Sequence, residues 1–452
     1  GCGMNSVGMA SGGGAGMNLA HCIVHGHTAY DLSEADAKRF APIFNSVEHL
    51  TSRAPEILGT HYDIAYPGKQ LKTARNLRRL PLDAEFRSAG AHMGQFYDWE
   101  RPLYFGKSAE PRMTFDKPDW FENVRAEVMA AYEKAAIFDA SPFGKIEVSG
   151  TDAEAFLQHI CASNMAKDVG SAIYTAVLND RGTYESDITA HRISKDHYRL
   201  FVGTNAIKRD LAWLKRHVDK FDVTLKDSTE DYAVLGLMGP ETARIASEVG
   251  ASELNDIKYF KLGEATIAGH PVSAARMSYV GEAGWEITCS SKHVSDIYKA
   301  LINAGATPAG MYAQSSMRVE KGFAAMGHEL DSDITPIETG LDMMSSKVKK
   351  FIGSKALAEH RKTATRSLVT VIIHDDQAVP IGHEPIYLDG KIIGHTTTSV
   401  FGYRIEKPIA LGHVYINDAD GKIVDVDIAG VSFTACLQYA PAYDPKGSRM
   451  KV

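Results

Sequence analysis

The feature that most constrains the fold is a series of short strand-like segments in residues 366–452. The pairs Asp389-Gly390 and Asp420-Gly421 lie between them, and Asp-Gly pairs favour tight hairpin turns. Because consecutive hairpins form antiparallel sheets, this region predicts a small antiparallel β-barrel or sandwich. The predicted strands are Leu368–Ile373, Pro385–Leu388, Lys391–Thr397, Ile409–Tyr415 and Ile423–Ile428.

Helices and strands alternate through residues 119–365, where hairpins are more evident than parallel βαβ units. This pattern predicts an α+β fold. Thr151 and Glu154 have capping-box spacing ahead of an apolar run, which predicts a helix N-terminus. Two strand pairs are expected, Ile173–Leu178 with Asp187–Ile193 and Val272–Tyr279 with Trp285–Cys289.

The first 32 residues are rich in glycine and then apolar, and Met17–Val24 is typical of a helix. A glycine-rich turn before a helix can bring backbone N–H groups to a pyrophosphate. The full G-x-G-x-x-G pattern is missing, so a complete dinucleotide site is not predicted, and a packing-driven glycine loop explains the residues as well. Residues 33–118, rich in loops and proline, predict a connecting segment with a packed aromatic stretch at 96–105.

Composition narrows the possible partners of this chain. Its 452 residues carry a net charge of −7 and 44% are hydrophobic, which is typical of globular proteins. The charge disfavours nucleic acid and anionic membranes, and no apolar run is long enough to span a bilayer. No metal site is expected, because the five cysteines lack CxxC spacing and His21 and His25 lack a third ligand. Scattered cysteines favour a reducing compartment, the cytoplasm or, in a eukaryote, the mitochondrial matrix.

Candidate chemistry lies on carboxylates and tyrosines, since no G-x-S-x-G, Walker or H-E-x-x-H motif is present. Asp187 begins a predicted strand, where a partly desolvated carboxylate could move a proton, or it simply caps the preceding turn. Tyr279 and Glu286 flank a predicted turn and could line one pocket. There a carboxylate would match a ring with adjacent N–H donors, although from the residues alone a salt bridge explains Glu286 better. Glu282, within the turn, is expected to be exposed to solvent.

Seven short motifs in a fixed order resemble the folate-binding aminomethyltransferase superfamily, the fold of the glycine-cleavage T-protein. The likeness runs from about Ala136 to the end of the chain. The motifs are YTAVLNDRGTYESDI (174–188), GLMGPETA (236–243), RMSYVGEAGWEI (276–287), MRVEKG (317–322), TPIETGLD (335–342), FIGSKAL (351–357) and IALGHV (409–414). The stretches GMNSVGMASGGGAG, DWERPLYF and YDPKGSRMKV further resemble the sarcosine and dimethylglycine dehydrogenase family.

The resemblance implies specific site residues and tetrahydrofolate as cofactor. It implies a catalytic Asp187 and a folate pocket lined by Tyr174, with Tyr279 and Glu286 holding the pterin. Asn205 falls where the family places a folate-contacting asparagine. Lys347, Lys349 and Lys350 are candidates for the anionic folate tail, or they form a solvated cluster.

The resemblance also implies a domain order and a reaction. Residues 1–32 would be the remnant of an FAD-binding amine-oxidase domain, with the rest of that FAD domain or subunit upstream. Residues 119–365 would form the folate domain and residues 366–452 the barrel. An N-methyl amino acid of the sarcosine or dimethylglycine type would be oxidised to an iminium, and its carbon would pass to tetrahydrofolate as 5,10-methylenetetrahydrofolate.

Two alternatives stay open at this point. One is a stand-alone aminomethyltransferase or folate-dependent demethylase, and the other is a folate-binding module without turnover. Gln314 stands in an Ala-Gln-Ser-Ser segment where the glycine-cleavage proteins often have an arginine, which weakens the case for a lipoyl-protein donor.

Overall fold

The computed structural model describes residues 3–4, 6–36, 39–106 and 110–451. Its helices are α1 (Gly8–His25), α2 (Val47–Gly59), α3 (Asp83–Ser88), α4 (Phe121–Glu133), α5 (Ala153–Ile160), α6 (Ile207–Arg216), α7 (Thr242–Glu248), α8 (Val294–Asn303), α9 (Met311–Glu320) and α10 (Ser354–Thr363). The strands before the barrel are β1 (Ala91–Phe96), β2 (Trp99–Phe105), β3 (Ala136–Asp139), β4 (Gly144–Ser149), β5 (Ala172–Leu178), β6 (Tyr184–Ser194), β7 (His197–Val202), β8 (Thr224–Asp227), β9 (Tyr232–Met238), β10 (Leu262–Ile267), β11 (His270–Ala275), β12 (Gly284–Ser290) and β13 (Thr307–Ala309). The later strands are β14 (Ser367–Ile373), β15 (Pro385–Leu388), β16 (Lys391–Gly402), β17 (Lys407–Val414), β18 (Ile423–Ile428) and β19 (Val431–Gln438).

The C-terminal strands close into an antiparallel barrel in the order β14-β17-β16-β15-β18-β19, which confirms the prediction. Strand β19, which was not predicted, pairs with both β18 and β14 and completes the closure. Alternate residues of β18 are buried, as expected when one face of each strand lines the interior. Closure also leaves the barrel without an unpaired edge.

Two sheets form the α+β region that precedes the barrel. The six-stranded sheet has the order β10-β11-β12-β9-β3-β13, and the five-stranded sheet has the order β5-β6-β7-β4-β8. Helices α7 and α8 cover the six-stranded sheet, where Ile245 and Ile297 pack in the same core as Trp285. Helices α5 and α6 cover the five-stranded sheet, where Phe156 packs in the same core as Ile188. The α+β prediction is therefore confirmed.

The uncovered faces of the two sheets face each other. Phe201 of β7 and Val234 of β9 are buried in one small cluster that joins these inner faces. The sheets are also joined along their margins, where the amide of Leu262 donates to Gly170 O at 2.8 Å. Side chains alternate between the two faces of a strand, so every second residue of β6 and β12 is directed to this inner region.

The glycine-rich N-terminus differs from the predicted loop, because α1 already begins at Gly8 and contains most of these glycines. The helix ends at Gly26, whose φ of 80° is readily adopted by glycine. Asn18 is the residue of α1 described as buried, while Met9, Ile23 and Val24 are exposed. The helix therefore has an apolar surface that contacts little of the described chain.

Two local predictions give the right element but the wrong detail. Helix α5 begins without a capping box, because the Thr151 hydroxyl donates to Asp222 and Glu154 pairs with Arg192. The predicted strand Val272–Tyr279 ends at Ala275, and the residues up to β12 form a loop. Within the described ranges, the helices include none whose length and apolarity would suit a bilayer crossing.

A buried carboxylate in α4 links β2 to the start of α9. Glu127 accepts hydrogen bonds from the amides of Phe105 (2.6 Å) and Gly310 (2.7 Å), and burial raises its pKa to about 8. The Glu127→Ala variant leaves both amides without this acceptor, so we expect the free energy of unfolding to fall by about 2–4 kcal/mol. Urea denaturation measures this. Glu122→Ala, an exposed change on the same helix, should lower the free energy of unfolding by less than about 0.5 kcal/mol. Equal losses in the two variants would contradict the role of Glu127 as the acceptor that links β2 to α9.

Candidate active site

Asp187 lies on the inner face of β6. Tyr184, Ser186 and Ile188 are buried, whereas the alternating residues Glu185 and Asp187 are half-buried. Ile188 belongs to the core beneath the helices, so Asp187 is directed to the opposite, inner side.

Tyr174 on β5 is the direct partner of this carboxylate. Its hydroxyl donates to Asp187 Oδ2 at 3.1 Å, across strands that align Ala176 with Asp187. Burial raises the pKa of Asp187, while the Tyr174 hydrogen bond and the charge of Arg209 act in the opposite direction. Burial raises the pKa of Tyr174 well above its usual value, and the Asp187 charge adds to this. The pair is therefore a phenol that donates a hydrogen bond to a half-buried carboxylate.

Tyr279 lies in the loop between β11 and β12. Its hydroxyl donates to Ala324 O at 3.1 Å, and its ring lies parallel to Phe323 with centroids 6.0 Å apart. Burial raises the pKa of Tyr279, and the charge of Asp187 contributes. Tyr279 in turn acts on Tyr174. These electrostatic couplings place Tyr174, Asp187 and Tyr279 in one region.

Glu286 lies on the inner face of β12. Its neighbours Trp285 and Ile287 are buried in the outer core, whereas Glu286 keeps part of its surface exposed. Burial alone raises its pKa to about 7. Among the described residues none donates a hydrogen bond to its carboxylate, and its charge acts on Tyr259. The salt bridge considered for Glu286 from sequence is therefore not formed within that part of the chain.

Asn205 lies in the turn between β7 and α6. It lines a surface cleft of about 270 Å³ beyond the end of β7, and Asp187, Tyr174, Tyr279 and Glu286 do not line that cleft. The charged residues of the cleft are Arg39, Arg78, Asp98, Lys208, Asp227 and Glu230. The roles assigned to all five residues from sequence stay predictions.

The lysine cluster and the turn glutamate differ from expectation. Lys349 donates to the carbonyls of Gln158 and Cys161, and Lys347 pairs with Asp342, so these two amines already have protein acceptors. Glu282 is 1% exposed, not solvated as expected, because three distant side chains donate to it.

A buried ion pair between Arg318 and Glu329 lies beside the site and was not predicted from sequence. Arg318 Nη1 lies 2.8 Å from Glu329 Oε2, both side chains are nearly inaccessible, and both charges act on Tyr279. Little in the sequence signalled this pair, because Arg318 lies in a largely polar segment, QSSMRVEKG (314–322). No cluster of three or more metal-binding side chains is found in the described ranges.

Comparison with protein families identifies the chain. Residues 82–349 match the GCVT N-terminal domain, and residues 366–444 match the glycine cleavage T-protein C-terminal barrel domain. The chain belongs to the glycine cleavage T-protein family. Residues 25–79 match the FAD dependent oxidoreductase central domain. The predicted boundaries at residues 32, 118 and 365 stay predictions.

Individual relatives agree with this family. Human mitochondrial dimethylglycine dehydrogenase is 30% identical over 96% of the chain, which spans about half (52%) of that relative's length. An aminomethyltransferase from Exiguobacterium sibiricum is 30% identical, with 73% of the chain and 92% of the relative covered. The glycine cleavage system aminomethyltransferase T of Bartonella henselae shares the fold, with a TM-score of 0.73 at 23% identity over 82% of the chain and 99% of that structure. The family and relatives indicate an enzyme.

The burial of Glu286 predicts a pH dependence of stability. Because its pKa rises from 4.5 unfolded to about 7 folded, the folded state binds the proton more tightly, and stability falls as pH rises from about 4.5 through 7. Glu286→Gln stays neutral, so the variant should gain about 1–3 kcal/mol over the parent between pH 5 and pH 8. Urea denaturation at the two pH values tests this. Glu264→Gln, exposed on the same sheet, is the control, and a gain of similar size there would contradict the prediction.

Proposed function

We propose that this enzyme transfers a one-carbon unit to tetrahydrofolate and forms 5,10-methylenetetrahydrofolate. The carbon comes from the iminium or formaldehyde that results when an N-methyl amino acid, of the sarcosine or dimethylglycine type, is oxidatively demethylated. The observation that carries this proposal is the Glu286 carboxylate, which is half-buried on the inner face without a hydrogen-bond donor from the described chain.

The residues present suit a reduced pterin. A pterin offers adjacent ring N–H and amino donors, and a carboxylate with two oxygens can accept both. Ionised Glu286 would gain in this pair the donors that it lacks, which would offset its desolvation. Tyr279 would provide an aromatic wall for the planar ring.

Asp187 would manage the proton of the transfer. Its carboxylate, held by Tyr174 at 3.1 Å, lies in the same region as Tyr279. There it would take the proton released when the folate amine forms its bond to carbon. General acid–base help of this kind is worth about 10²–10⁴-fold in rate. Burial between the two sheets would also limit attack of water on the reactive carbon unit.

The oxidative half of the reaction needs a flavin, and we propose that an FAD domain or subunit contacts the N-terminal region. When bound, FAD accepts the hydride of the N-methyl group. The match at residues 25–79 supports this, as do exposed apolar side chains between residues 9 and 64. These exposed side chains are Met9, Met17, Leu19, Ile23, Val24, Tyr30, Val47, Leu50, Leu58, Tyr62 and Ile64. The proposed location is the cytoplasm, or the mitochondrial matrix in a eukaryote; the human dimethylglycine dehydrogenase is a mitochondrial protein by name.

The role of Asp187 is tested by Asp187→Asn. The variant keeps the shape of the side chain but cannot accept the proton, so methylenetetrahydrofolate formation above the uncatalysed rate should fall about 10²–10⁴-fold. The dissociation constant for tetrahydrofolate, measured by calorimetry, should change less than about threefold. Asp180→Asn, an exposed change in the preceding turn, is the control. An unchanged rate in Asp187→Asn would remove the role of Asp187, and binding without turnover in the parent would favour the non-catalytic alternative.

The flavin proposal is tested on protein made from the whole open reading frame. We expect flavin absorbance that bleaches when a methylated amine is added under anaerobic conditions, because the substrate reduces the cofactor. Protein from the whole reading frame that carries no flavin, yet forms methylenetetrahydrofolate, would favour the stand-alone transferase.

A further inference from the structure

The loop that carries Tyr279 to Glu286 depends on contacts from outside its sheet. Strand β11 ends at Ala275 and β12 begins at Gly284, so residues 276–283 lie outside strand pairing. Glu282 is buried in this loop. Glu286 is fixed in β12 by pairing with Ala275 and Gly236, so the position of Tyr279 relative to Glu286 depends on how the loop, including Glu282, is held.

Three donors converge on Glu282 from two remote parts of the chain. Arg404, in the turn after β16 of the barrel, donates from Nη1 to Glu282 Oε1 at 2.9 Å. The Tyr443 hydroxyl donates to the same oxygen at 2.7 Å, and Arg449 Nε donates to Oε2 at 2.8 Å. Tyr443 and Arg449 belong to residues 441–451, which follow the last barrel strand and which we call the C-terminal strap.

Arg404 makes the barrel a fixed support for this arrangement. Its guanidinium is inaccessible to solvent, pairs with Glu320 at 2.6 Å and donates to Val280 O in the loop itself at 2.8 Å. The ring of Tyr443 lies 3.8 Å from the guanidinium carbon, in cation–π geometry. The strap thus packs on the group that already holds the loop.

The strap continues past Lys321 and Tyr132 to Tyr259. Asp444 pairs with Lys321 at 2.9 Å, and Arg449 also donates to Tyr132 O at 2.5 Å. Buried Met450 places its sulfur 3.9 Å from the Tyr259 hydroxyl. Tyr259 is the residue on which the Glu286 charge acts. The two ends of the strap therefore contact the surroundings of both proposed pterin residues.

We propose that the C-terminal strap positions the folate site, with Tyr443 and Arg449 holding the Tyr279–Glu286 loop in its binding shape through Glu282. This inference rests on the proposed function. Tyr443, Arg449 and Glu282 are positioning residues that act through Tyr279 and Glu286. Without the strap, Glu282 keeps Arg404 but loses two of its three donors, and a buried carboxylate with fewer donors would draw the loop towards solvent.

Two variants separate the strap from the rest of the fold. Tyr443→Phe removes the hydroxyl and keeps the ring on Arg404, and Arg449→Ala removes the charge at Oε2. Their matched controls are Tyr439→Phe, whose hydroxyl accepts from the Ala419 amide in the barrel, and Lys446→Ala, an exposed strap cation.

The first readout is hydrogen–deuterium exchange of residues 276–287 in the protein without ligand. We expect faster exchange of this peptide in both strap variants, with exchange in the barrel and in β5–β6 unchanged. The second readout is the dissociation constant for tetrahydrofolate, which should rise about 10-fold or more in Arg449→Ala. Both controls should behave like the parent. A conservative Arg449→Lys change should restore part of the affinity.

Each outcome is decisive. Parent-like exchange and affinity in both strap variants would overturn the proposal, and so would equal effects of Lys446→Ala. If Arg449→Ala unfolds, Tyr443→Phe still decides, because it removes a single hydroxyl. If the parent binds no tetrahydrofolate, the proposed function fails, while faster exchange in the strap variants would still support the positioning role.

Discussion

The contact on which the site most depends is the packing of α9 against barrel strand β16. Arg318 of α9 pairs with Glu329 and donates to Thr398 of β16, and Thr397 donates to Glu329 in turn. Buried pairs gain little net stability because desolvation offsets their attraction, yet breaking one costs about 3–5 kcal/mol. They therefore fix the position of the barrel more than they stabilise the fold. Tyr279, within reach of both charges, depends on that position.

The parts of the fold predicted from sequence are those specified by neighbours in the chain. The barrel strands follow from alternation and from turns such as Asp389-Gly390, and β5 and β6 follow from apolar runs around a polar turn. The capping-box prediction was wrong because Thr151 bonds to Asp222, whose proximity no local pattern reveals. The predicted length of the strand before Tyr279 was wrong because that loop is held by long-range contacts.

The candidate site shows the same division. The family motifs identified Tyr174, Asp187, Tyr279 and Glu286, and the structure brings the first three together and places Glu286 on a facing sheet. Asn205, whose role the resemblance also implied, lines the cleft beyond the end of β7, and that role stays a prediction. Glu282 appeared to be a solvated turn residue because its three donors lie more than a hundred residues further along the chain. Burial of a charge is a property of tertiary packing, so a single sequence gives little warning of it.

The pairing of β5 with β6 has a consequence for how such chains can diverge. Tyr174 and Asp187 meet because thirteen positions separate them and a bulge near Leu178 sets the register of the hairpin. A slip of one residue would turn Asp187 towards the apolar core and bring Ile188 to the inner face. The length of the turn between the two strands is therefore constrained, because it sets the register that brings Tyr174 to Asp187. The exposed side chains of the turn can change without altering this contact.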